Sequence, residues 1–149
     1  MPKASIKRNI NCSKKDLIDL VLNIEEYPKF IPYCLNAHIY KDETVGNFQY
    51  IEADLTIGKC PFKDTYKSDV KFDKKESIIY VKNIEGPLKY LENKWKFDQK
   101  ENFTEVTFDL DFELKNKFLN IFMNKSFKYG LDKIADAFQS GAEKLFNKV

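Results

Sequence analysis

A chain of 149 residues with 43% hydrophobic and 15% aromatic residues suits one globular domain, and it is long enough to hold a core without disulfides or structural metal. Five Gly and five Pro exclude collagen-like and low-complexity sequence, and the apolar content excludes wholesale disorder. Twenty-five basic against 23 acidic residues give a net charge of +2 with the signs interspersed, so no polyanionic partner is demanded.

The first fifteen residues lack the apolar run and small-residue cleavage pattern of a secretory leader. Ser13-Lys14-Lys15-Asp16 is a capping box, predicting a short helix through Asp16 to Asn23 with Leu17, Leu20 and Val21 as its buried stripe. In Tyr27-Pro28-Lys29-Phe30-Ile31-Pro32-Tyr33, two prolines bracket a single turn and make an aromatic corner. From about Leu35 to Leu114 the apolar period is two. Turn signals at 43–47, 59–61, 73–76, 85–87 and 99–102 divide this stretch into an antiparallel meander.

The last strand is the clearest. Val106, Phe108, Leu110, Phe112 and Leu114 alternate with Glu105, Thr107, Asp109, Asp111 and Glu113, giving an apolar face and an acidic one. The strand before it places Leu91, Trp95 and Phe97 opposite Glu92, Lys94, Lys96 and Asp98, and its lysines offset the acidic face next door. After Leu114 the period becomes helical. Phe118 and Phe122 extend backward a stripe of Phe127, Leu131, Ile134, Phe138, Gly141, Ala142 and Leu145, with Asn116 or Asn120 as caps and Gly130 as a point of bending or close approach. The sum is an α+β domain spanning residues 1–149: two short N-terminal helices, a curved antiparallel sheet of six or seven strands, and a long C-terminal helix lying against it. A cavity between sheet and helix is the expected binding site.

Catalytic chemistry has no anchor in these residues. No phosphate loop, dinucleotide fingerprint, zinc-protease helix or nucleophile elbow occurs. His38 is the sole histidine, and Cys34 lies roughly 13 Å away if the segment is extended at ~3.3 Å per residue, too far for a nucleophile and its base. Cys12, Cys34 and Cys60 are scattered, which points to a reducing compartment. No stretch approaches the ~20 apolar residues of a membrane span, so the expected location is the cytoplasm, with peripheral contact at the inner face of a membrane left open. Arg8 is the only arginine, which argues against sequence-specific reading of nucleic acid.

The inner faces of the strands carry a finer signal. Asp64 and Ser68 share parity with Phe62, Tyr66, Val70 and Phe72, and Asn93 shares it with Leu91, Trp95 and Phe97. Such polar groups either pair across strands, or turn outward at a bulge, or meet a ligand's polar end. The aromatics of the C-terminal helix read as core or as cavity lining. Phe30, Ile31, Tyr33, Leu119 and Met123 read as simple packing or as a lid or membrane-docking lip.

The chain resembles the coenzyme Q-binding, START-like branch of the polyketide cyclase/dehydrase and lipid-transport superfamily. The resemblance rests on residues 27–34, on Glu85-Gly86-Pro87-Leu88-Lys89-Tyr90-Leu91-Glu92-Asn93-Lys94-Trp95-Lys96-Phe97, and on Asp136-Ala137-Phe138. It implies a helix-grip fold whose sheet wraps the C-terminal helix around a hydrophobic tunnel. Two functions attach to relatives of this kind: ubiquinone binding in support of respiration, and association with ribosomes in the manner of the RatA toxins. Tyr33 stands where the pattern often has tryptophan, and Ser140-Gly141 stands where a basic residue commonly precedes the alanine matched by Ala142; the lost charge detracts from the ribosome reading.

The expected function is therefore non-enzymatic binding or transport of a lipophilic ligand, ubiquinone first, with no covalent cofactor and no metal. Strand parity assigns Tyr66, Ser68 and Asn93 to the ligand's polar end. Parity and helix stripe assign Trp95, Phe122, Phe127, Leu131, Ile134 and Phe138 to its tail. The alternatives are a ribosome partner acting through the outer surface and a cyclase or dehydratase, for which Asp64 with Tyr66 is the one nearby acid/base suggestion.

Overall fold

A computed structural model describes residues 3–31, 34–59, 62–85, 88–115 and 132–144, of which Lys3, 58–59, 62–64, Glu85, Leu88 and Leu114 are described as backbone. In chain order the elements are β1 (Lys3–Ile10), α1 (Lys14–Leu22), a 3-10 turn (Ile24–Lys29), β2 (Cys34–Val45), β3 (Phe48–Lys59), β4 (Phe62–Asp73), β5 (Ile78–Glu85), β6 (Leu88–Gln99) and β7 (Thr104–Leu114). A helix over residues 132–144, here α2, follows. The strands form one antiparallel sheet in the order β1-β7-β6-β5-β4-β3-β2. Each strand from β3 to β7 lies beside the one before it, as the turn signals require.

The N-cap half of the capping box forms: the Ser13 hydroxyl accepts from the Asp16 N–H at 3.2 Å. The helix it opens runs from Lys14 to Leu22 and buries Ile18 along with Leu17, Leu20 and Val21. The proline-bracketed corner opens as the 3-10 turn with Pro28 inside it, and the Tyr27 hydroxyl donates to the Val21 carbonyl, tying the corner back to α1. In the sheet, Lys94 lies opposite Asp109, so the lysines of β6 do meet the acidic face of β7.

β1 lies outside the stretch from Leu35 to Leu114 in which the sequence pattern shows strands. This strand pairs with β7 along its length and completes the sheet on the side away from β2. Its inward positions are Ala4, Ile6, Arg8 and Ile10, and the arginine in an otherwise apolar row hides the alternation. The charge has a local reason. Arg8 Nη1 lies 2.6 Å from Asp136 Oδ1 and Nη2 lies 3.6 Å from Asp132 Oδ1, a fork across two carboxylates one helical turn apart on α2. Beside it the Asn11 N–H donates to Glu143 Oε2 at 3.1 Å and the Gln139 amide donates to the Asn9 carbonyl at 3.3 Å. One seam of α2 is thus fastened to β1 and to the residue following it by polar contacts.

The face of α2 carrying Ile134, Phe138 and Ala142 packs inward with the core formed by the sheet, α1 and the 3-10 turn. Phe138 is the meeting point: its ring stands edge-on to Tyr27 at 5.4 Å, Phe30 at 5.5 Å and Trp95 at 4.9 Å. Gly141 makes room for this, because a Cβ there would sit 3.2 Å from Phe30 Cδ2. Gly141→Ala is expected to be nearly neutral, crowding offsetting the gain of about 1 kcal/mol in helix propensity. Gly141→Leu should lower stability by about 1–3 kcal/mol through overpacking, as read by urea unfolding.

The pairing slips at Leu35 and Tyr40 in β2, at Ile84 in β5 and at Lys89 in β6, leaving each of these residues without a partner in register. Such bulges add local twist, and they bend the sheet toward the concave shape that receives α2. They also account for exposed apolar side chains, since Leu35, Tyr40 and Ile84 are each nearly half exposed.

Candidate ligand site on the inner face of the sheet

Cross-strand register places Tyr66, Ser68 and Val70 of β4 beside Leu55, Ala53 and Ile51 of β3. It likewise places Val81 of β5 beside Asn93 of β6, and Asn93 beside Leu110 of β7. These residues share the concave face, and their side chains fall into two apolar groups. The larger holds Trp95, Phe97, Val106, Ile79, Ile51, Phe138 and the α1 stripe. The smaller holds Leu91 and Phe112, with Leu110 alongside. Tyr66 and Val81 pack against both.

Each side chain assigned to the ligand's polar end has a definite place. Ser68 is fully buried, and its hydroxyl donates to the Ala53 carbonyl at 3.3 Å. Asn93 is committed on both sides: its Nδ2 donates to the Asp109 carbonyl at 2.9 Å, and its Oδ1 accepts from Trp95 Nε1 at 2.7 Å. Asn83, which parity also places inside, accepts from the Leu91 N–H at 2.7 Å. Tyr66, half-buried, offers no orphaned donor either, since no buried polar side-chain atom among the described residues lacks a hydrogen-bond partner. Burial is the main reason its pKa lies far above the usual tyrosine range, and the neighbouring Cys34 thiol adds to the shift.

Cys34 and Tyr27 share this environment. Burial raises the Cys34 thiol as well, and it raises the Tyr27 hydroxyl, with Tyr66 and then Cys34 contributing. All three groups are neutral at physiological pH. Cys12 lies outside this cluster; burial, then the nearby Asp16, pushes its thiol up to about 11.

Of the residues assigned to the tail, Trp95, Ile134 and Phe138 come together. They line a cavity of about 20 Å³ with Ile6, Arg8, Ile10, Val106, Phe108 and Ala135. That is room for roughly one water molecule, so an isoprenoid tail entering at this point has to displace the Phe138 and Ile134 side chains. Phe122, Phe127 and Leu131 lie outside the described residues, as do the side chain of Asp64, Cys60, Tyr33, and Asn116, Phe118, Leu119, Asn120, Met123, Gly130 and Leu145. Phe30 packs against Phe138, and Ile31 is half-buried against the core.

Among the described residues His38 meets Glu25 and the Tyr40 ring and no serine or cysteine nucleophile. It is exposed, with Nδ1 3.3 Å from Glu25 Oε2, and the same carboxylate accepts the Ile39 N–H at 2.9 Å. Among the described residues no cluster of three or more His, Cys, Asp or Glu is placed to hold a metal, and no helix is long and apolar enough to cross a membrane.

The family model described as polyketide cyclase / dehydrase and lipid transport matches residues 10–139. The chain belongs to this family. Its relatives include the ribosome association toxin RatA of Rickettsia prowazekii, 29% identical over 88% of this chain and 89% of that protein. They also include the mitochondrial coenzyme Q-binding protein COQ10 of Dictyostelium discoideum, 30% identical over 85% of this chain. The match spans 62% of the latter, so this chain corresponds to part of it. Among solved structures, a START superfamily protein from Mycobacterium smegmatis superposes with a TM-score of 0.81 at 19% identity, covering 96% of this chain and 98% of the other. That likeness establishes the helix-grip, START-like fold of a curved antiparallel sheet and a C-terminal helix.

Proposed function

We propose that this protein is a non-enzymatic binder or carrier of a lipophilic small molecule, ubiquinone first, held between the concave face of the sheet and the C-terminal helix and serving respiration. The observation that carries the proposal is the composition of that face. It is apolar from β3 to β7, and the polar groups Ser68, Asn83 and Asn93 are tied to the protein's own backbone and to Trp95. Bound in this way, they are not free to move protons on a substrate, which favours a carrier over a cyclase or dehydratase. The coenzyme Q-binding relative supplies the choice of ligand. At ~0.8 kcal/mol per buried CH₂, one five-carbon isoprene unit contributes at most roughly 4 kcal/mol, so two or three units suffice for tight binding before ordering costs are met.

The RatA relatives favour a second reading, association with a ribosomal subunit through the outer surface. The two readings part in one experiment on protein purified from its native host. Organic extraction and mass spectrometry are expected to recover an isoprenoid quinone at a stoichiometric fraction of the protein. Repeated preparations free of quinone and other lipid, together with salt-sensitive cosedimentation with ribosomal subunits that survives Ser68→Phe, would replace the first reading with the second.

A further inference from the structure

We infer that the seam between β1 and α2 is the ligand's way in and out of the site, and that the Arg8 fork across Asp132 and Asp136 is the latch that sets how fast this seam opens. This rests on the carrier reading above and adds to it the route of exchange and the residues that regulate it.

α2 meets the rest of the protein along two stripes of different chemistry. Asp132, Asp136, Gln139 and Glu143 recur at helical spacing, and each reaches β1 or the residue following it. The two aspartates share the Arg8 guanidinium, the Gln139 amide donates to the Asn9 carbonyl, and Glu143 accepts the Asn11 N–H. The neighbouring stripe of Ile134, Phe138 and Ala142 packs into the core. The cavity lies between the two stripes. Ile6, Arg8 and Ile10 wall it from β1, and Ile134, Ala135 and Phe138 wall it from α2.

A ligand passing beneath α2 parts one stripe or the other, and the two do not yield alike. On the core side Phe138 is 4% exposed and stands edge-on to Tyr27, Phe30 and Trp95, so separation there opens apolar surface to water. On the β1 side the groups that part are polar, and water replaces each lost partner. The fork also lies near solvent, with the Arg8 side chain 29% exposed, Asp132 46% and Asp136 62%. Ion pairs so placed hold weakly and are screened by salt. β1 is moreover the edge strand on that side of the sheet, which leaves the seam at the surface.

Trp95 lines the cavity and is the chain's one tryptophan, so its fluorescence reports arrival and departure of a quencher there. Stopped-flow mixing of the full chain with a decyl-substituted 1,4-benzoquinone gives both rates. In the wild type the exit rate is expected to rise about 3- to 10-fold from about 50 mM to about 500 mM sodium chloride, as the fork is screened. The Asp132→Asn/Asp136→Asn double variant keeps the side-chain shapes and removes the charges. At the lower salt it is expected to exceed the wild type about 3- to 10-fold in entry and exit alike, with Kd within about threefold and little response to salt. Arg8→Gln, which removes the charge from the other side of the seam, is expected to behave in the same way, and melting temperatures check that both variants fold. Rates that respond neither to salt nor to the substitutions, or a loss of affinity with entry unchanged, would overturn the inference while leaving the carrier reading standing. Failure of the quinone to bind the wild type would overturn both.

Discussion

Phe138→Ala is expected to cost about 3–5 kcal/mol, within the range for removing a buried aromatic ring, and at ~2–4 °C per kcal/mol for a chain of this size to lower the unfolding midpoint by roughly 10 °C. The ring is nearly fully buried and stands edge-on to Tyr27, Phe30 and Trp95, so its loss removes one side of three aromatic contacts at once. The surroundings are also poorly placed to collapse. Trp95 is held by its hydrogen bond to Asn93, Tyr27 by its bond to the Val21 carbonyl, and α2 by the Arg8 fork. A cavity lined by restrained groups relaxes least and costs most. Thermal and urea unfolding check the figure; a cost below 1 kcal/mol would mean that α2 is not docked through this residue. The same variant bears on function, since the vacated space adjoins the cavity lined by Trp95 and Ile134. If the ligand's tail runs there, the variant regains stability on adding the decyl quinone in excess of what the wild type gains.

How far the sequence discloses this structure depends on the range of the interaction involved. Ser13 and Asp16 are three residues apart, and their hydrogen bond is legible as a pattern. The period-two stretches of β6 and β7 are equally legible, because alternation is a property of each strand alone. Parity correctly places Tyr66, Ser68, Asn93 and Trp95 on one face. What it cannot supply is register. That the Ser68 hydroxyl meets the Ala53 carbonyl, and that Asn93 reaches the Asp109 carbonyl, follows from which residue of the next strand lies opposite, and this is set by hairpin closure and by the bulges at Leu35, Tyr40, Ile84 and Lys89. β1 is the extreme case, since its partner strand lies about a hundred residues away and Arg8 makes its inner row look polar. Only the placement of Asp132 and Asp136 on α2 shows why an arginine belongs there.

The buried hydroxyl and thiol groups give the protein a stability that depends on pH in one direction. Tyr27, Tyr66, Cys12 and Cys34 all have pKa values raised by folding, because burial disfavours the anion. In the unfolded chain each ionises at its ordinary value, near 9 for the thiols and 10 for the phenols. Below pH 9 both states carry the same protons and these groups add no slope. Above it the unfolded state loses protons first and is favoured, at about 1.4 kcal/mol for each pH unit and each group held neutral. Cys12 stops contributing to the slope once the pH passes about 11, where its folded form ionises too. The urea midpoint is therefore expected to be level from pH 7 to 8.5 and to fall steeply from pH 9 to 11. Other groups titrate in that range, lysines among them, so the decisive quantity is the difference between wild type and Tyr66→Phe. The variant should match the wild type at pH 7 and show a shallower decline above pH 10, and the tyrosinate absorbance that Tyr66 contributes, read as wild type minus variant, should appear only on unfolding, whereas exposed phenols such as Tyr40 and Tyr80 ionise in the folded protein. Parallel declines for the two proteins would place the Tyr66 hydroxyl in water rather than in the apolar setting from which the ligand reading starts.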